Sequence, residues 1–133
     1  QAKMKRHSSR KREEIWYAIA DEEASALLAA LPADLRDKLG NVAVTLEARP
    51  SSTDVADDDD YDDMLGVFVG LAYGEELETT DPIPPAIKLF IENLRDEVDE
   101  DRTRFRQEVR TTLLHEIGHY LGLDEEGLAS RGL

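Results

Sequence analysis

Residues 113–128 read LLHEIGHYLGLDEEGL and place His115 and His119, two of the chain's three histidines, four positions apart. If residues 104–121 form a helix, this spacing brings two imidazole nitrogens close enough to bind one ion, at about 2.0–2.1 Å for zinc. Glu116 is rotated by about 100° from His115, so it is a poor third ligand but can reach a metal-bound water. The spacing therefore predicts a metal site with Glu116 as general base.

The opposite face of this predicted helix is apolar. At about 100° per residue, one broad face collects Val109, Leu113, Ile117, Tyr120 and Leu121. We therefore expect Tyr120 in the core and assign it no role as an oxyanion donor. The alternative interpretation of the two histidines is a solvated pair on the surface of a helix.

The third ligand is expected after the helix. Gly122 can end the helix in a left-handed conformation and turn the chain back toward the histidines. Fourteen residues follow His119 and none is a methionine, so we expect neither a separate downstream helix with a third glutamate, as in thermolysin-like enzymes, nor the Met-turn of metzincins. A carboxylate just past Gly122 remains. Glu125 stands where the HExxHxxGxxH pattern has its last histidine, and Asp124 is the competitor.

The composition is that of a small acidic protein. The 133 residues, 41% of them hydrophobic, fit one compact domain. A formal net charge of -14 argues against a nucleic-acid surface, which needs a basic face. The absence of cysteine leaves only nitrogen and oxygen ligands for a metal and suits a reducing cytoplasm. No segment is apolar enough for a signal peptide or a membrane span, so we expect a cytoplasmic protein.

The charge is distributed unevenly. Residues 1–12, QAKMKRHSSRKR, carry six Lys or Arg and no acid, so residues 13–133 hold 10 basic and 30 acidic side chains, a net charge of -20. We expect a disordered basic tail over residues 1–12, with weak contact to a polyanion as the alternative. The folded domain is expected over residues 13–133.

Periodicity elsewhere predicts an α+β domain. Apolar residues recur at helical spacing over residues 13–31. Three alternating runs predict strands: VAVTLEA (42–48), MLGVFVGLAYG (64–74) and a segment with Ile87, Leu89 and Ile91 on one side. The acidic residues 51–63 lack the pattern of a calcium loop and are predicted to form a solvated loop. We expect a short three- to four-stranded sheet packed by an N-terminal helix and a C-terminal helix that carries HExxH.

Three stretches, in this order, resemble the minimal metalloprotease-like, or zincin-like, family of small bacterial domains: LGVF (65–68), IPPAIKLF (83–90) and TLLHEIGHYLGLDEE (112–126). The resemblance implies a short α+β zincin-like fold, with the two motif histidines and an acidic residue after the glycine as metal ligands. Family members usually have aspartate at the position of Glu125, so Glu125 and Asp124 stay alternatives. It also implies that a peptide lies beside an edge strand, for which AIKLFI (86–91) is the expected segment.

These observations predict a zinc-dependent peptidase that acts on a peptide or protein substrate, although nickel or cobalt would fit the same ligands. Glu108, seven residues before His115, is either a solvated surface residue or orients a ligand. One alternative function is a metal-stabilised protein-binding module with little or no hydrolysis, and another is an acidic interaction protein whose site a partner segment fills. Glu116 favours catalysis, because a structural site needs no base and usually has four protein ligands. The sequence carries no signal for the oligomeric state.

Overall fold

The computed structural model describes residues 2–51, 63–74 and 84–133, with side chains from residue 13 onward. The elements of these parts are α1 (Ala2–Ala30), α2 (Ala33–Lys38), β1 (Ala43–Glu47), β2 (Gly66–Val69), β3 (Ala86–Phe90), α3 (Ile91–Glu97), α4 (Arg102–Leu121) and α5 (Glu125–Ser130). The predicted α+β class is confirmed. The loop predicted over residues 51–63 lies largely outside the described residues.

The sheet has the strand order β1-β3-β2, so β3 is the central strand. It pairs parallel with β1, where Thr45 faces Lys88, and antiparallel with β2, where Val67 faces the same lysine. Lys88 Nζ also lies 3.5 Å from a carboxylate oxygen of Glu47 on β1. The expectation that AIKLFI is a peptide-receiving edge is wrong, because both sides of β3 are already paired. In the described part of the chain the sheet edges are β1 and β2.

Helices α1 and α4 pack against each other and enclose the core with the sheet. The rings of Trp16 on α1 and Phe105 on α4 meet edge to face, with centroids 4.8 Å apart. Of the apolar face predicted for α4, four residues are buried and Leu121 is partly buried; the buried ones are Val109, Leu113, Ile117 and Tyr120. At the rim of this contact, Arg106 donates a hydrogen bond of 2.9 Å to Glu23. Burial of one full face therefore fixes the rotation of α4, and with it the direction of the opposite face.

The backbone of α1 is helical from Ala2, where the sequence predicts a disordered tail over residues 1–12. Residues 2–12 contain neither glycine nor proline, and Lys and Arg are good helix formers, so the helix continues toward the N-terminus without a break. The domain boundary at residue 13 stays a prediction. Among the described residues, no helix is both long enough and apolar enough to cross a membrane.

Three short helices, α2, α3 and α5, are absent from the sequence-based prediction. Ile91, expected to continue the third strand, is the first residue of α3. It is buried together with Leu94 and Val98, a spacing that belongs to a helix. Asn93, on the same helix, accepts a hydrogen bond from Arg49 and donates one to the carbonyl oxygen of Met64, both at 2.8 Å. Helix α3 thereby links the segments that follow β1 and precede β2.

Strand β2 lies directly against α4 at Gly66. A Cβ atom at this glycine would lie 2.8 Å from Cγ2 of Thr112, closer than real Cβ atoms approach, and 3.1 Å from the carbonyl oxygen of Lys88. Gly66 therefore permits the close approach that the sequence predicts for the glycines of the second strand. Because Thr112 precedes His115 by three residues, the contact brings the start of β2 beside the HExxH turns.

Candidate metal centre

The C-terminal half of α4 brings His115, Glu116 and His119 together. One candidate ligand atom from each of these residues lies within 4.8 Å of the other two. The two imidazole rings have centroids 4.3 Å apart and are inclined by 64°. Both histidines are exposed, whereas Glu116 is only 6% exposed. The arrangement therefore combines two accessible imidazoles with one buried carboxylate.

Glu116 and His119 are joined by a hydrogen bond. The distance from Nδ1 of His119 to Oε1 of Glu116 is 3.0 Å. When Nδ1 carries the proton, it donates to the carboxylate, and Nε2 keeps the lone pair that a metal ion needs. The side chain of His119 is 54% exposed and that of Glu116 is 8% exposed. The hydrogen bond at Nδ1 thus orients the imidazole of His119, and Nε2 belongs to the exposed part of the site.

Two glycines shape the turn that follows the histidines. Gly122 ends α4 with φ 73°, the left-handed conformation that the sequence predicts for it. At Gly118, a Cβ atom would lie 2.8 Å from the carbonyl oxygen of Leu123 and 3.1 Å from Cδ1 of Leu128. The N–H of Leu123 donates to the carbonyl oxygen of Gly118 at 2.8 Å. The absence of a side chain at Gly118 therefore allows the following segment to fold back onto α4.

A short helix begins directly after this turn. Asp124 caps α5 by accepting a hydrogen bond of 2.7 Å from the N–H of Gly127, and Glu125 is the first helical residue. The expectation that no separate helix with a glutamate follows His119 is therefore wrong. Asp124 is a strong helix-capping residue, and six residues suffice for a helix whose first turn is capped and whose Leu128 is buried.

The two carboxylates proposed as third ligand are placed differently. One oxygen of Asp124 is engaged in capping α5. Glu125 is exposed and lines cavities beside His115. In the ranges that the structure describes, the compact group of candidate ligand atoms comprises His115, Glu116 and His119, without either of these residues. The choice between Glu125 and Asp124 stays a prediction.

Two cavities flank the histidines. One, of about 490 Å³, lies between α4, the start of β2 and the C-terminal residues, and is lined by both His115 and Glu116. The other, of about 740 Å³, lies on the side of the turn and is lined by both histidines. Leu65 and Leu133 line the first cavity. Sequence patterns around HExxH give no signal for these two leucines, because they come from distant parts of the chain.

The donor set fits zinc. Imidazole nitrogen and carboxylate oxygen are ligands that Zn²⁺ accepts, and catalytic sites use three protein ligands with one position open to substrate. The exposure of His115 and His119 leaves the required access from solvent. The short distances among the candidate ligand atoms of His115, Glu116 and His119 agree with two imidazoles that bind one ion and a carboxylate close beside it.

Beyond the turn, an ion pair connects the C-terminal segment to α2. Arg131 donates a hydrogen bond of 2.9 Å to Asp34, and this bond holds the pKa of the Asp34 carboxyl below its usual value. Since Arg131 directly follows α5, the contact links the end of that helix to α2.

Comparison with known proteins gives one family. A family model described as zincin-like metallopeptidase matches residues 39–133, which are 95 of the chain's 133 residues. Among curated proteins, none matches the chain. The matched region includes all three strands and the His115, Glu116 and His119 group. From the extent of this match and the HExxH group on α4, the chain belongs to the zincin-like metallopeptidase family.

Proposed function

We propose that the chain is a zinc-dependent peptidase in which His115, His119 and Glu125 hold the ion and Glu116 is the general base. The observation that carries the proposal is the buried carboxylate of Glu116, held 3.0 Å from His119 in a group whose imidazoles face solvent. A site that only stabilised the fold would have no use for a base at this position and would normally have four protein ligands.

Zinc, when bound, supplies a Lewis acid that polarises the substrate carbonyl and lowers the pKa of a coordinated water. Glu116 accepts the proton of the attacking water and passes it to the leaving amine as the peptide bond breaks. Burial and the contact with His119 restrict its side chain to one position, so little orientational freedom is lost during the reaction. Glu125, as a carboxylate ligand, lowers the net charge of the site to +1, which increases the need for a base.

Glu125 is favoured over Asp124 as the third ligand by the contacts of the two side chains. Recruiting Asp124 would weaken the cap of α5, and losing such a cap costs about 1 kcal/mol. Glu125 has no hydrogen-bond or ion-pair partner in the described parts of the chain, so its recruitment breaks nothing there. It also lines the cavities beside His115.

The peptide substrate is proposed to lie beside β2. This strand is an edge of the described sheet, and its N–H and C=O groups on the side away from β3 can pair with an extended peptide. Leu65 and Gly66, at its start, line the same cavity as His115 and Glu116. The other edge, β1, contributes Val44 to a separate cavity. Strand β2 therefore replaces AIKLFI as the substrate strand.

The test is elemental analysis of purified, chelator-free protein together with peptide cleavage on the same samples. We expect about one zinc per chain in the wild type and in Glu116→Gln, and loss of zinc in His119→Ala. Cleavage is expected to fall by at least about 100-fold in both variants, since a general base contributes about 10²–10⁴-fold. Glu97→Gln, an exposed change on α3 that alters the net charge equally, is the control and should retain both properties.

Bound zinc without cleavage in the wild type would replace the peptidase by a metal-stabilised binding module. Absence of bound metal after incubation with zinc would overturn the whole site assignment. Equal cleavage by wild type and Glu116→Gln would show that another group acts as the base.

A further inference from the structure

The cavity of about 490 Å³ beside β2 is lined by both apolar and acidic side chains. Its size lies within the roughly 300–1,000 Å³ of small-molecule sites. Leu65, Leu114, Leu128 and Leu133 supply apolar surface, and His115 and Glu116 place the reacting end of the cavity at the metal centre. A substrate side chain that enters here would therefore belong to a residue next to the bond that is cut.

Glu108 adds a carboxylate to this cavity, away from the metal centre. It precedes His115 by seven residues on α4, which is two helical turns or about 10 Å along the axis. Its side chain is partly buried. A substrate side chain must therefore be long to reach from the metal centre to Glu108.

The charge of Glu108 is uncompensated within the described residues. Neither a hydrogen bond nor an ion pair to it occurs there. Two arginines of α4, Arg106 and Arg110, pair with Glu23 on the side of α1. Arg104, one helical turn before Glu108, makes no ion pair with it among the described residues. Of the other carboxylates that line the cavity, Glu116 is bonded to His119, and Glu125 is the proposed metal ligand. Glu108 thus remains as the negative group that is free to meet a substrate.

We propose that Glu108 is a specificity-determining residue that selects a lysine or arginine side chain beside the scissile bond, an inference that rests on the proposed peptidase function. Lys and Arg combine an aliphatic stem, which suits the leucine walls, with a cationic end group, which suits Glu108. An acidic side chain would meet the same carboxylate unfavourably. The net charge of -20 over residues 13–133 further favours the approach of cationic substrates.

The experiment uses zinc-loaded protein and otherwise identical neutral peptides. A single lysine is moved through the peptide position by position, with norleucine as the uncharged reference for its stem and glutamate as the charge-reversed substitute. We expect kcat/KM to be about five- to tenfold higher for lysine than for norleucine at one position next to the cut bond. The ratio should approach one in Glu108→Gln and stay as in the wild type in Glu97→Gln. The higher kcat/KM of the lysine peptide should come from a lower KM, and the difference should shrink as salt is added.

Binding to Glu116→Gln protein separates this inference from the proposed function, because it requires no hydrolysis. Tighter binding of the lysine peptide, abolished by adding Glu108→Gln, supports the pocket assignment even if no peptide is cleaved and the peptidase proposal fails. Cleavage with equal rates for lysine and norleucine at every position would overturn the pocket assignment alone. A lysine preference that persists in Glu108→Gln would also overturn it, as would the absence of any lysine-dependent binding.

Discussion

The histidines and the carboxylates after them are positioned by different means. His115 and His119 lie on a 20-residue helix whose opposite face is buried, so their spacing follows from helical geometry and their direction from the core. Asp124 and Glu125 lie at the start of a six-residue helix held by a capped turn and by close packing at Gly118. The difference teaches that the positions of the two candidate histidine ligands are set locally, whereas the position of the proposed third ligand depends on how the chain returns to α4.

Replacing each carboxylate separately is the sharpest test of this difference. Glu125→Gln should weaken zinc binding about 100-fold, or about 2.8 kcal/mol, because it removes a charged ligand from the ion. Asp124→Asn should change zinc affinity less than about threefold, since asparagine also caps helices well. Competitive titration with a zinc chelator measures both. The reverse order of effects would assign Asp124 to the metal and Glu125 to the surface.

Gly118→Ala should disrupt the return of the chain while leaving the histidine spacing unchanged. The added Cβ meets the carbonyl oxygen of Leu123 at 2.8 Å, and this overpacking exceeds the gain in helix propensity. We expect a loss of about 2 kcal/mol in the free energy of unfolding, measured by urea denaturation of the metal-free protein. Zinc affinity should also fall, because the turn that carries Glu125 moves outward. An unchanged unfolding free energy would show that the close contact is relieved at no cost.

Gly122→Ala tests the same turn through backbone strain. No atom lies within 4 Å of a Cβ built there, but φ is 73°, which costs an L-residue about 1 kcal/mol. The expected loss in unfolding free energy is therefore about half of that for Gly118→Ala, in the same urea experiment. A larger loss than for Gly118→Ala would mean that the left-handed end of α4, and not the close packing, controls the turn.

The smallest effect is expected from the ion pair that anchors the segment after α5. Arg131 lowers the pKa of Asp34 below its usual value of 3.8, so the carboxylate stabilises the folded state above pH 3.8. This contribution is lost as pH falls through the lowered pKa. Asp34→Asn should thus be slightly less stable than the wild type at pH 7 and indistinguishable from it at strongly acidic pH, by urea midpoints.

Asp37→Asn, an exposed change on the same helix α2, is the matched control and should shift the midpoint little at any pH. A pH-independent difference between wild type and Asp34→Asn would contradict an electrostatic origin.

Sequence alone could predict α4 well because its pattern is long and local. Twenty residues with one apolar face and a glycine at the end specify the helix, its rotation and its histidines. Helix α5 was not predicted because its six residues form less than two turns, too few for a periodic pattern. Asp124 followed by Gly127 is nevertheless compatible with a capped helix start. Ile91 was misplaced because the apolar positions Ile87, Leu89 and Ile91 continue the strand period across the boundary into α3.

Strand order depends on pairing between distant residues, which local patterns do not encode. The edge position expected for residues 86–91 came from the family resemblance and not from a pattern in these residues. In the structure Lys88 lies in the central strand and pairs with Glu47. The proposed substrate cavity could not be predicted for the same reason, because Leu65, Glu108 and Leu133 meet only after the sheet and helices are assembled.

Asn93 ties the two ends of the connection between β1 and β2 to one helix. Its amide accepts a hydrogen bond from Arg49 and donates one to the carbonyl oxygen of Met64, so α3 fixes both ends. A flexible segment inserted between these ends would cost about 0.6 kcal/mol of loop-closure entropy for each doubling of loop length. Protein engineering could therefore graft a recognition segment at this point, directly before the proposed substrate strand, while the two ends keep their contacts.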